Sequence, residues 1–210
     1  MNNKEIIIKN AIVKNCDEEI LKIDNLEFHT GINIIVGENG AGKSSFFSSL
    51  FKKEDYVLEG EINIDNYPKL QTFELVKLGY YLVQQQNMVV DNLTYEVLWK
   101  HMAEINNITV NWEEIYNFFP IAREKLNNII GTCSGGENRI MELIPVFILN
   151  PEYVFLDEID SGLSSIHKEQ LIKFLIHFKL EKTFVLITHQ KEDFNELEAQ
   201  EFVLVEGTIK

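Results

Sequence analysis

The feature that most constrains the fold of this chain is an apolar run at residues 32–36, followed at once by Gly-Glu-Asn-Gly-Ala-Gly-Lys-Ser at residues 37–44. The segment matches the pattern G-x-x-x-x-G-K-[ST] in the order strand, loop and helix, an arrangement that binds phosphate groups. Gly37, Gly40 and Gly42 let the backbone wrap a phosphate closely, with successive N–H groups pointing inward. The structural alternative is a glycine-rich turn that caps a helix, and we favour phosphate binding.

The side chains of this loop predict the rest of the ligand. Lys43 adds a positive charge for the β- and γ-phosphates of a nucleotide, and the Ser44 hydroxyl is a ligand for Mg²⁺. The helix that begins there directs the positive end of its dipole at the same ligand. We therefore expect the whole loop to bind the nucleotide, through Gly37, Glu38, Asn39, Gly40, Ala41, Gly42, Lys43 and Ser44.

Short β-branched runs alternate with stretches of helical periodicity, which indicates an α/β fold. Predicted strands lie at residues 5–8, 32–36, 61–64, 153–156, 184–187 and 202–205, and three of them are nearly all apolar, as central parallel strands are. Consecutive amphipathic segments at residues 94–103, 112–119 and 121–126 predict a helical insertion. We place this insertion at about residues 86–131 of a single domain, residues 1–210, whose core is residues 1–85 and 132–210.

Polar residues follow two of the apolar strands directly. Asp157 and Glu158 come at the carboxyl end of the run 153–156, where open α/β sheets bind ligands. Asp157 suits the second shell of Mg²⁺, and Glu158 suits a general base or a residue that positions water for attack on a γ-phosphate. The alternative is an acidic turn that caps the next helix. His189 follows the next apolar run in the same way, and by itself such a histidine is more often structural.

Charge and hydropathy exclude several classes of protein. The net charge of −14 over 210 residues repels a phosphate backbone, so we expect no nucleic-acid partner. No apolar stretch approaches the roughly 20 residues needed to cross a bilayer, and the amino terminus lacks the apolar core of a secretory signal. We expect the chain to stay in the cytoplasm, with Cys16 and Cys133 as free thiols.

A further motif lies upstream of the acid pair. Residues 133–139 read Cys-Ser-Gly-Gly-Glu-Asn-Arg. Ser134 and Glu137 have the spacing of a capping box, which predicts a helix over about residues 137–149 with Ile140, Leu143, Ile144 and Phe147 facing inward. The same segment matches the LSGGQ-type signature, and with the other motifs in the same order the chain resembles the ATP-binding-cassette (ABC) ATPases along its full length.

The resemblance implies a P-loop NTPase fold with a RecA-like core, an antiparallel β subdomain and a helical insertion. It also implies an ATPase that closes as a head-to-tail dimer on ATP and Mg²⁺, with an identical or a different second ABC subunit. One nucleotide would be contacted by Lys43, Ser44, Ser45, Asp157, Glu158 and His189 of the same chain. The nucleotide of the other subunit would be bound by Ser134, Gly135, Gly136 and Glu137. Gln84 or Gln85 would reach Mg²⁺ and the attacking water, and three adjacent glutamines leave the register open.

The chain departs from the family pattern at further positions. Around residues 15–17 it has no aromatic residue to stack on adenine, so base selectivity is open. Ser164 stands where the family usually has Asp, a change that we expect to weaken communication between the two sites. Cys133 replaces the usual leucine at a packing position.

Two functions fit the resemblance. In the leading hypothesis, the chain is the ATP-binding subunit of a transporter for exported peptide or a small solute, held at the inner face of the membrane by a separate permease. Residues 88–90, Leu93 and Tyr95 would supply the apolar contact with that permease, and the alternative, for about half of them, is the core of the helical insertion. The alternative is a soluble ABC ATPase such as that of iron–sulfur cluster assembly. Residues 157–163 resemble the corresponding sequence in that ATPase. DNA repair is disfavoured by the acidic charge and the lack of a coiled-coil insertion, and a regulatory module by the presence of Glu158 and His189.

Overall fold

The computed structural model of the protein describes residues 5–53, 55–64, 67–68, 79–83 and 92–209. The strands are β1 (Glu5–Asn15), β2 (Glu18–His29), β3 (Gly31–Gly37), β4 (Tyr56–Ile64), β5 (Tyr67–Pro68), β6 (Tyr80–Val83), β7 (Tyr153–Asp157), β8 (Thr183–Ile187), β9 (Ala199–Val205) and β10 (Thr208–Ile209). The α-helices are α1 (Lys43–Leu50), α2 (Tyr95–Ile105), α3 (Trp112–Phe118), α4 (Pro120–Lys125), α5 (Gly135–Met141), α6 (Ile144–Leu149) and α7 (Ser165–Phe178). Short 3₁₀ turns lie at Ile130–Thr132 and Lys191–Phe194.

The strands form one continuous sheet with a parallel part and an antiparallel part. Their order is β5-β4-β1-β2-β10-β9-β3-β8-β7-β6. Neighbouring strands are parallel from β9 through β3, β8 and β7 to β6, and antiparallel among β2, β1, β4 and β5. This confirms the predicted α/β fold with an antiparallel β subdomain. Among the described residues, none of the helices is long and apolar enough to span a bilayer.

Strands β1 and β2 differ most from the sequence prediction. β2 has no counterpart among the predicted strands, and β1 extends to Asn15, well beyond the predicted run at 5–8. In both strands the alternation of buried residues slips by one position halfway along, as shown by Ile6, Ile8, Ala11 and Val13 in β1 and Leu21, Ile23, Leu26 and Phe28 in β2. The slip in β1 falls at Asn10, whose φ is 47°, where the register with β4 also shifts. Such a bulge keeps one face buried but breaks the period-2 signal from which strands are predicted.

The helical side is confirmed in outline and corrected in one place. Helices α2, α3 and α4 lie on the three predicted amphipathic segments, whereas the boundaries of the insertion stay a prediction. The predicted continuous helix over residues 137–149 is wrong, because α5 ends at Met141 and α6 begins at Ile144. Pro145 lies in the first turn of α6, where its missing N–H costs nothing, whereas inside one long helix it would break a hydrogen bond. Ile140, Leu143 and Ile144 are buried as predicted, and Phe147 is half-buried.

Each face of the sheet is covered by a separate apolar cluster. One cluster joins the sheet to α2–α7, and the other joins it to α1 and the antiparallel strands. Phe155, in the middle of β7, is fully buried in the second cluster. Its ring makes edge-on contacts with Phe47 and Phe51 at centroid distances of 5.3 and 5.2 Å. Because Asp157 ends the same strand, this packing also holds the acid pair in place.

We expect Phe155→Ala to lower the free energy of unfolding by about 3–5 kcal/mol, since it removes a buried ring and leaves a cavity. Urea denaturation followed by far-ultraviolet circular dichroism would measure the change. The matched control is Leu180→Ala, at a position that is 83% exposed, where we expect a change within about 0.5 kcal/mol. A loss at Phe155 no larger than that of the control would contradict the central role of this ring.

Candidate active site

The phosphate loop, residues 37–44, joins β3 to α1, and two of its glycines are required by close contacts and backbone conformation. A Cβ atom at Gly37 would lie 2.6 Å from the carbonyl oxygen of Leu204 on β9, which leaves room for glycine only. Gly42 is the N-cap of α1 and has a φ of 102°, a left-handed conformation that glycine adopts at low cost. These residues allow the chain to turn sharply from a buried strand into a helix.

Lys43 is the first residue of α1 and is almost fully buried. Its Nζ donates to the carbonyl oxygens of Gly37 and Glu38, both at 2.8 Å. Burial lowers the pKa of Lys43, while the nearby carboxylates of Glu158 and Asp157 raise it. The ammonium group is therefore held inside the phosphate loop by the carbonyl groups of the loop itself.

Ser44 and Asp157 connect the phosphate loop to the end of β7. The Ser44 hydroxyl donates to Asp157 Oδ1 at 3.2 Å. Burial raises the pKa of Asp157, the hydrogen bond from Ser44 lowers it, and the neighbouring charge of Glu158 raises it further. A hydroxyl and a buried carboxylate therefore lie side by side at the mouth of the loop.

Glu158 and His189 face each other across the ends of β7 and β8. His189 Nε2 lies 2.6 Å from Glu158 Oε1. Glu158 has a φ of 50°, a left-handed conformation that costs a non-glycine residue of order 1–3 kcal/mol. The backbone turns the Glu158 side chain away from the path of the strand and toward His189.

A first cleft, of about 430 Å³, contains most of the predicted residues of one site. It is lined by Asn39, Gly40, Gly42, Lys43, Ser44, Ser45, Glu158 and His189. Asp157 adjoins this cleft through its hydrogen bond with Ser44. The structure thus brings together residues from the phosphate loop, the acid pair and the strand-end histidine.

A second cleft, of about 610 Å³, contains the signature segment. It is lined by Ser134, Gly135, Gly136, Glu137, Arg139, Ser161, Gly162, Ser164 and His167, none of which lines the first cleft. A Cβ atom at Gly136 would lie 2.8 Å from the carbonyl oxygen of Gly162, so glycine is required where these two loops meet. One chain therefore does not bring its signature segment into its own phosphate-loop cleft.

The capping box predicted for the signature segment is present. Ser134 N donates to Glu137 Oε2 at 2.8 Å, and Glu137 N donates to Ser134 Oγ at 3.3 Å. Lys125 Nζ lies 2.9 Å from Glu137 Oε1. The backbone N–H of Ser134 and the ammonium of Lys125 both lower the pKa of Glu137. The negative charge of Glu137 is therefore paired within the chain.

Some predicted residues are not placed, and some cleft residues were missed. Gln84, Gln85 and residues 88–90 lie outside the described residues. The prediction that Tyr95 contacts a permease is wrong, because Tyr95 is 1% exposed and packs in the apolar core, whereas Leu93 is 39% exposed. Ser164 is the N-cap of α7, where its hydroxyl accepts from the N–H of His167. Arg139 and His167 line the second cleft without having been predicted, although Arg139 directly adjoins the signature segment.

Ile20 lines a groove beside the phosphate loop in which none of the described lining residues is aromatic. Because Ile20 lies on β2, which the sequence did not reveal, it could not be found from the pattern alone.

The raised pKa of Asp157 predicts a pH-dependent stability of the nucleotide-free protein. The stabilising effect of the protonated carboxyl group is complete below its ordinary pKa of 3.8 and is lost as the pH rises through the higher folded pKa. We therefore expect Asp157→Asn to raise the unfolding temperature at pH 7, and to raise it less as the pH falls toward 3.8. Calorimetry with a chelator present would measure this, with the exposed Asp24→Asn as the control. A lower unfolding temperature for Asp157→Asn at pH 7 would contradict the assignment.

Comparison with known proteins gives the same family that the sequence motifs resemble. A family model described as ABC transporter matches residues 21–161. The protein named "Probable ATP-dependent transporter ycf16" of Trieres chinensis is 30% identical over 209 residues, which cover 90% of this chain and 83% of that protein. "Phosphate import ATP-binding protein PstB 2" of Ligilactobacillus salivarius (strain UCC118) is 26% identical over 211 residues, which cover 91% of this chain and 83% of that protein.

Solved structures share the fold. A bacterial Atm1-family ABC exporter with ATP bound superposes with a TM-score of 0.80 at 22% identity, and the match covers 100% of this chain but 39% of the exporter chain. A nucleotide-free ATP-binding cassette from an ABC transporter gives a TM-score of 0.77 at 19% identity, covering 98% of this chain and 89% of the cassette. Since the family model matches more than half of the sequence, the chain belongs to the ABC transporter family, as an ATP-binding subunit that hydrolyses ATP.

Proposed function

We propose that two such subunits close head to tail on two ATP molecules and drive a separate membrane permease. The observation that supports the dimer most directly is the separation of the two clefts. The signature segment and the phosphate loop line different clefts and have no lining residue in common. A partner subunit, identical or different, would therefore have to supply the signature segment to each phosphate loop.

The phosphate loop binds the β- and γ-phosphates of ATP in this proposal. Its backbone N–H groups and the start of α1 provide donors, and Lys43 provides the positive charge. Because the Lys43 ammonium is already held within the loop, little side-chain entropy is lost on binding. This local charge offsets the repulsion that a protein of net charge −14 exerts on a nucleotide.

The residues beside the loop fit Mg²⁺ as the second cofactor. Mg²⁺ prefers oxygen ligands and is usually bound by one or two protein groups together with substrate phosphates. The Ser44 hydroxyl and the Asp157 carboxylate are adjacent oxygen groups at the mouth of the loop. When bound, Mg²⁺ neutralises the charge that develops on the transferred phosphoryl group. Ser44 would ligate the ion, Asp157 would orient the ligands, and Gln84 or Gln85 would complete the set.

Glu158 acts as the general base or orients the attacking water. As the water oxygen forms its bond to the γ-phosphorus, the bond from that phosphorus to the β–γ bridging oxygen breaks, and the proton of the water passes to Glu158. The position of His189, 2.6 Å from Glu158, supports a role in holding this carboxylate and contacting the γ-phosphate.

The signature segment of the partner completes the site. The hydroxyl of Ser134 and the backbone N–H groups of Gly135 and Gly136 are donors for the γ-phosphate. Glu137 adds a carboxylate to this cleft, and its pairing with Ser134 and Lys125 limits the repulsion between that carboxylate and the phosphate. Binding of ATP would then close the dimer, and hydrolysis would release it.

Replacement of the proposed base gives the main test. We expect Glu158→Gln to lower the rate of phosphate release by roughly 10²–10⁴-fold, the usual range for loss of a general base. The variant should also remain dimeric in ATP and Mg²⁺, as measured by sedimentation velocity. Glu181→Gln, at an exposed position, is the control and should hydrolyse ATP at the unchanged rate. Full-rate hydrolysis by Glu158→Gln would remove Glu158 from the mechanism.

An exposed apolar patch supports a permease partner. It is formed by Leu93, Val97 and Ile129, which are 39%, 52% and 45% exposed. The N–H of Ile130 donates to the carbonyl oxygen of Leu93 at 2.9 Å, and Thr94 pairs with Ile129. The N–H of Val97 donates to Thr94 Oγ1 at 3.3 Å, which places Val97 in the same first turn of α2. Exposed apolar groups that cluster in this way mark interaction surfaces. Leu93, the first residue of the patch, lies two positions after residues 84–91, the segment expected to contain the glutamine.

Affinity purification would test this partner. We expect tagged Glu158→Gln, purified from gently solubilised native cells with ATP and Mg²⁺, to retain a membrane protein with several spans, identified by mass spectrometry. Adding Val97→Asp should reduce its recovery several-fold, because a charge would be buried at the interface. Adding Leu180→Asp, at an exposed position on another element, is the control and should leave recovery unchanged. Recovery of soluble proteins alone would instead favour a non-transport ABC ATPase, such as one of iron–sulfur cluster assembly.

A further inference from the structure

We propose that Asp160 and Thr188 form a buried hydrogen-bonded pair that positions His189 relative to Glu158. This inference rests on the role of His189 in the proposed function. Asp160 follows Glu158 in the loop after β7, and Thr188 directly precedes His189 at the end of β8. The Thr188 hydroxyl donates to Asp160 Oδ2 at 2.7 Å, with Asp160 3% exposed and Thr188 fully buried.

The Thr188 hydroxyl holds the backbone on both sides of His189. Its one proton goes to Asp160, and its oxygen accepts the N–H of Gln190 at 2.9 Å. The Thr188 N–H donates to the carbonyl oxygen of Ile35 on β3 at 3.3 Å. The residues before and after His189 are therefore tied to each other, to the sheet and to the Glu158 loop.

A second set of contacts holds Gln190 to α7. Lys168 Nζ donates to Gln190 Oε1 at 2.8 Å, and Lys168 is also paired with Asp193. Lys168 and Asp193 are the charged side chains that act on Asp160 from the neighbouring elements, with opposite effects on its carboxylate. Burial raises the pKa of Asp160, whereas the hydrogen bond from Thr188 lowers it.

The cost of this arrangement argues for a positioning role. Burying a carboxylate is unfavourable even when it is hydrogen-bonded, and an apolar pair of similar size would pack at a lower cost. The polar pair instead holds two loops in a fixed relative position, because Asp160 lies two positions after Glu158 and Thr188 lies one position before His189. A single hydrogen bond thus constrains the loops that present the two side chains found 2.6 Å apart.

The same loop reaches the second cleft. Ser161 and Gly162, which follow Asp160, line the cleft of the signature segment, where Gly162 closely approaches Gly136. The Asp160–Thr188 pair therefore connects a wall of the second cleft to the histidine of the first.

Thr188→Val is the direct test, and the chain offers a matched control on β8, the strand that Thr188 directly follows. Thr183, at the other end of β8, is also fully buried, and its hydroxyl has no hydrogen-bond partner among the described residues. We expect Thr188→Val to lower kcat for ATP hydrolysis roughly 10- to 100-fold, in line with the cost of small misplacements at active sites. The KM for ATP should stay within about twofold, because the phosphate loop is not changed. Thr188→Ser should restore most of the rate, and Thr183→Val should keep all of it.

A double-variant cycle separates this inference from the proposed function. If Thr188 acts through His189, Thr188→Val should lower the rate of a His189→Ala protein no further. The same fold loss in both backgrounds, or failure of Thr188→Ser to restore the rate, would overturn the positioning role alone. Full activity of His189→Ala would overturn both this inference and the proposed role of His189. If Thr188→Val does not fold, Asp160→Ala removes the acceptor instead and should give the same pattern.

Discussion

The parallel pairing of β3, β8 and β7 is the constraint on which the rest of the structure depends. Parallel neighbours end at the same edge of a sheet, so the segments that come directly after them in sequence become adjacent in space. The phosphate loop comes after β3, the acid pair lies at the end of β7, and His189 comes just after β8. Segments that are far apart along the chain therefore meet in one cleft.

The active site is built at a cost that the core offsets. Asp157 and Asp160 are carboxylates whose pKa values are raised by burial, Glu158 has a left-handed backbone, and Lys43 is an almost fully buried ammonium. None of these features stabilises the folded state in the absence of a ligand. The apolar clusters on the two faces of the sheet, including Phe155 and its aromatic neighbours, offset the free-energy cost of these groups.

The two clefts have different chemical characters. The first is lined by a cation, two serine hydroxyls, a carboxylate and an imidazole, and the carboxylate of Asp157 adjoins it, as expected where a phosphoryl group reacts. The second contains the capped start of α5, where the carboxylate of Glu137 is paired with Lys125. Its lining otherwise consists of glycine and serine residues with Arg139 and His167, which suits the recognition of a charged group rather than its chemical conversion. This difference between the two clefts of one chain supports the proposal of a site shared between two subunits.

The sequence by itself determined the features that are local in the chain. The phosphate loop, the acid pair and the capping box of Ser134 and Glu137 are short patterns whose chemistry depends on a few neighbouring residues, and apolar runs were enough to predict the central strands. Prediction from the sequence failed where the local period of apolar residues is broken, as in β2 and in the division between α5 and α6 near Pro145.

Only the tertiary structure decided which local features meet. It placed His189 against Glu158, hydrogen-bonded Thr188 to Asp160, paired Lys125 with Glu137, and put the signature segment in a cleft apart from the phosphate loop. The physical reason is that these contacts join residues widely separated in sequence, and their distances depend on strand order and helix packing. No periodicity or spacing along the chain encodes that order.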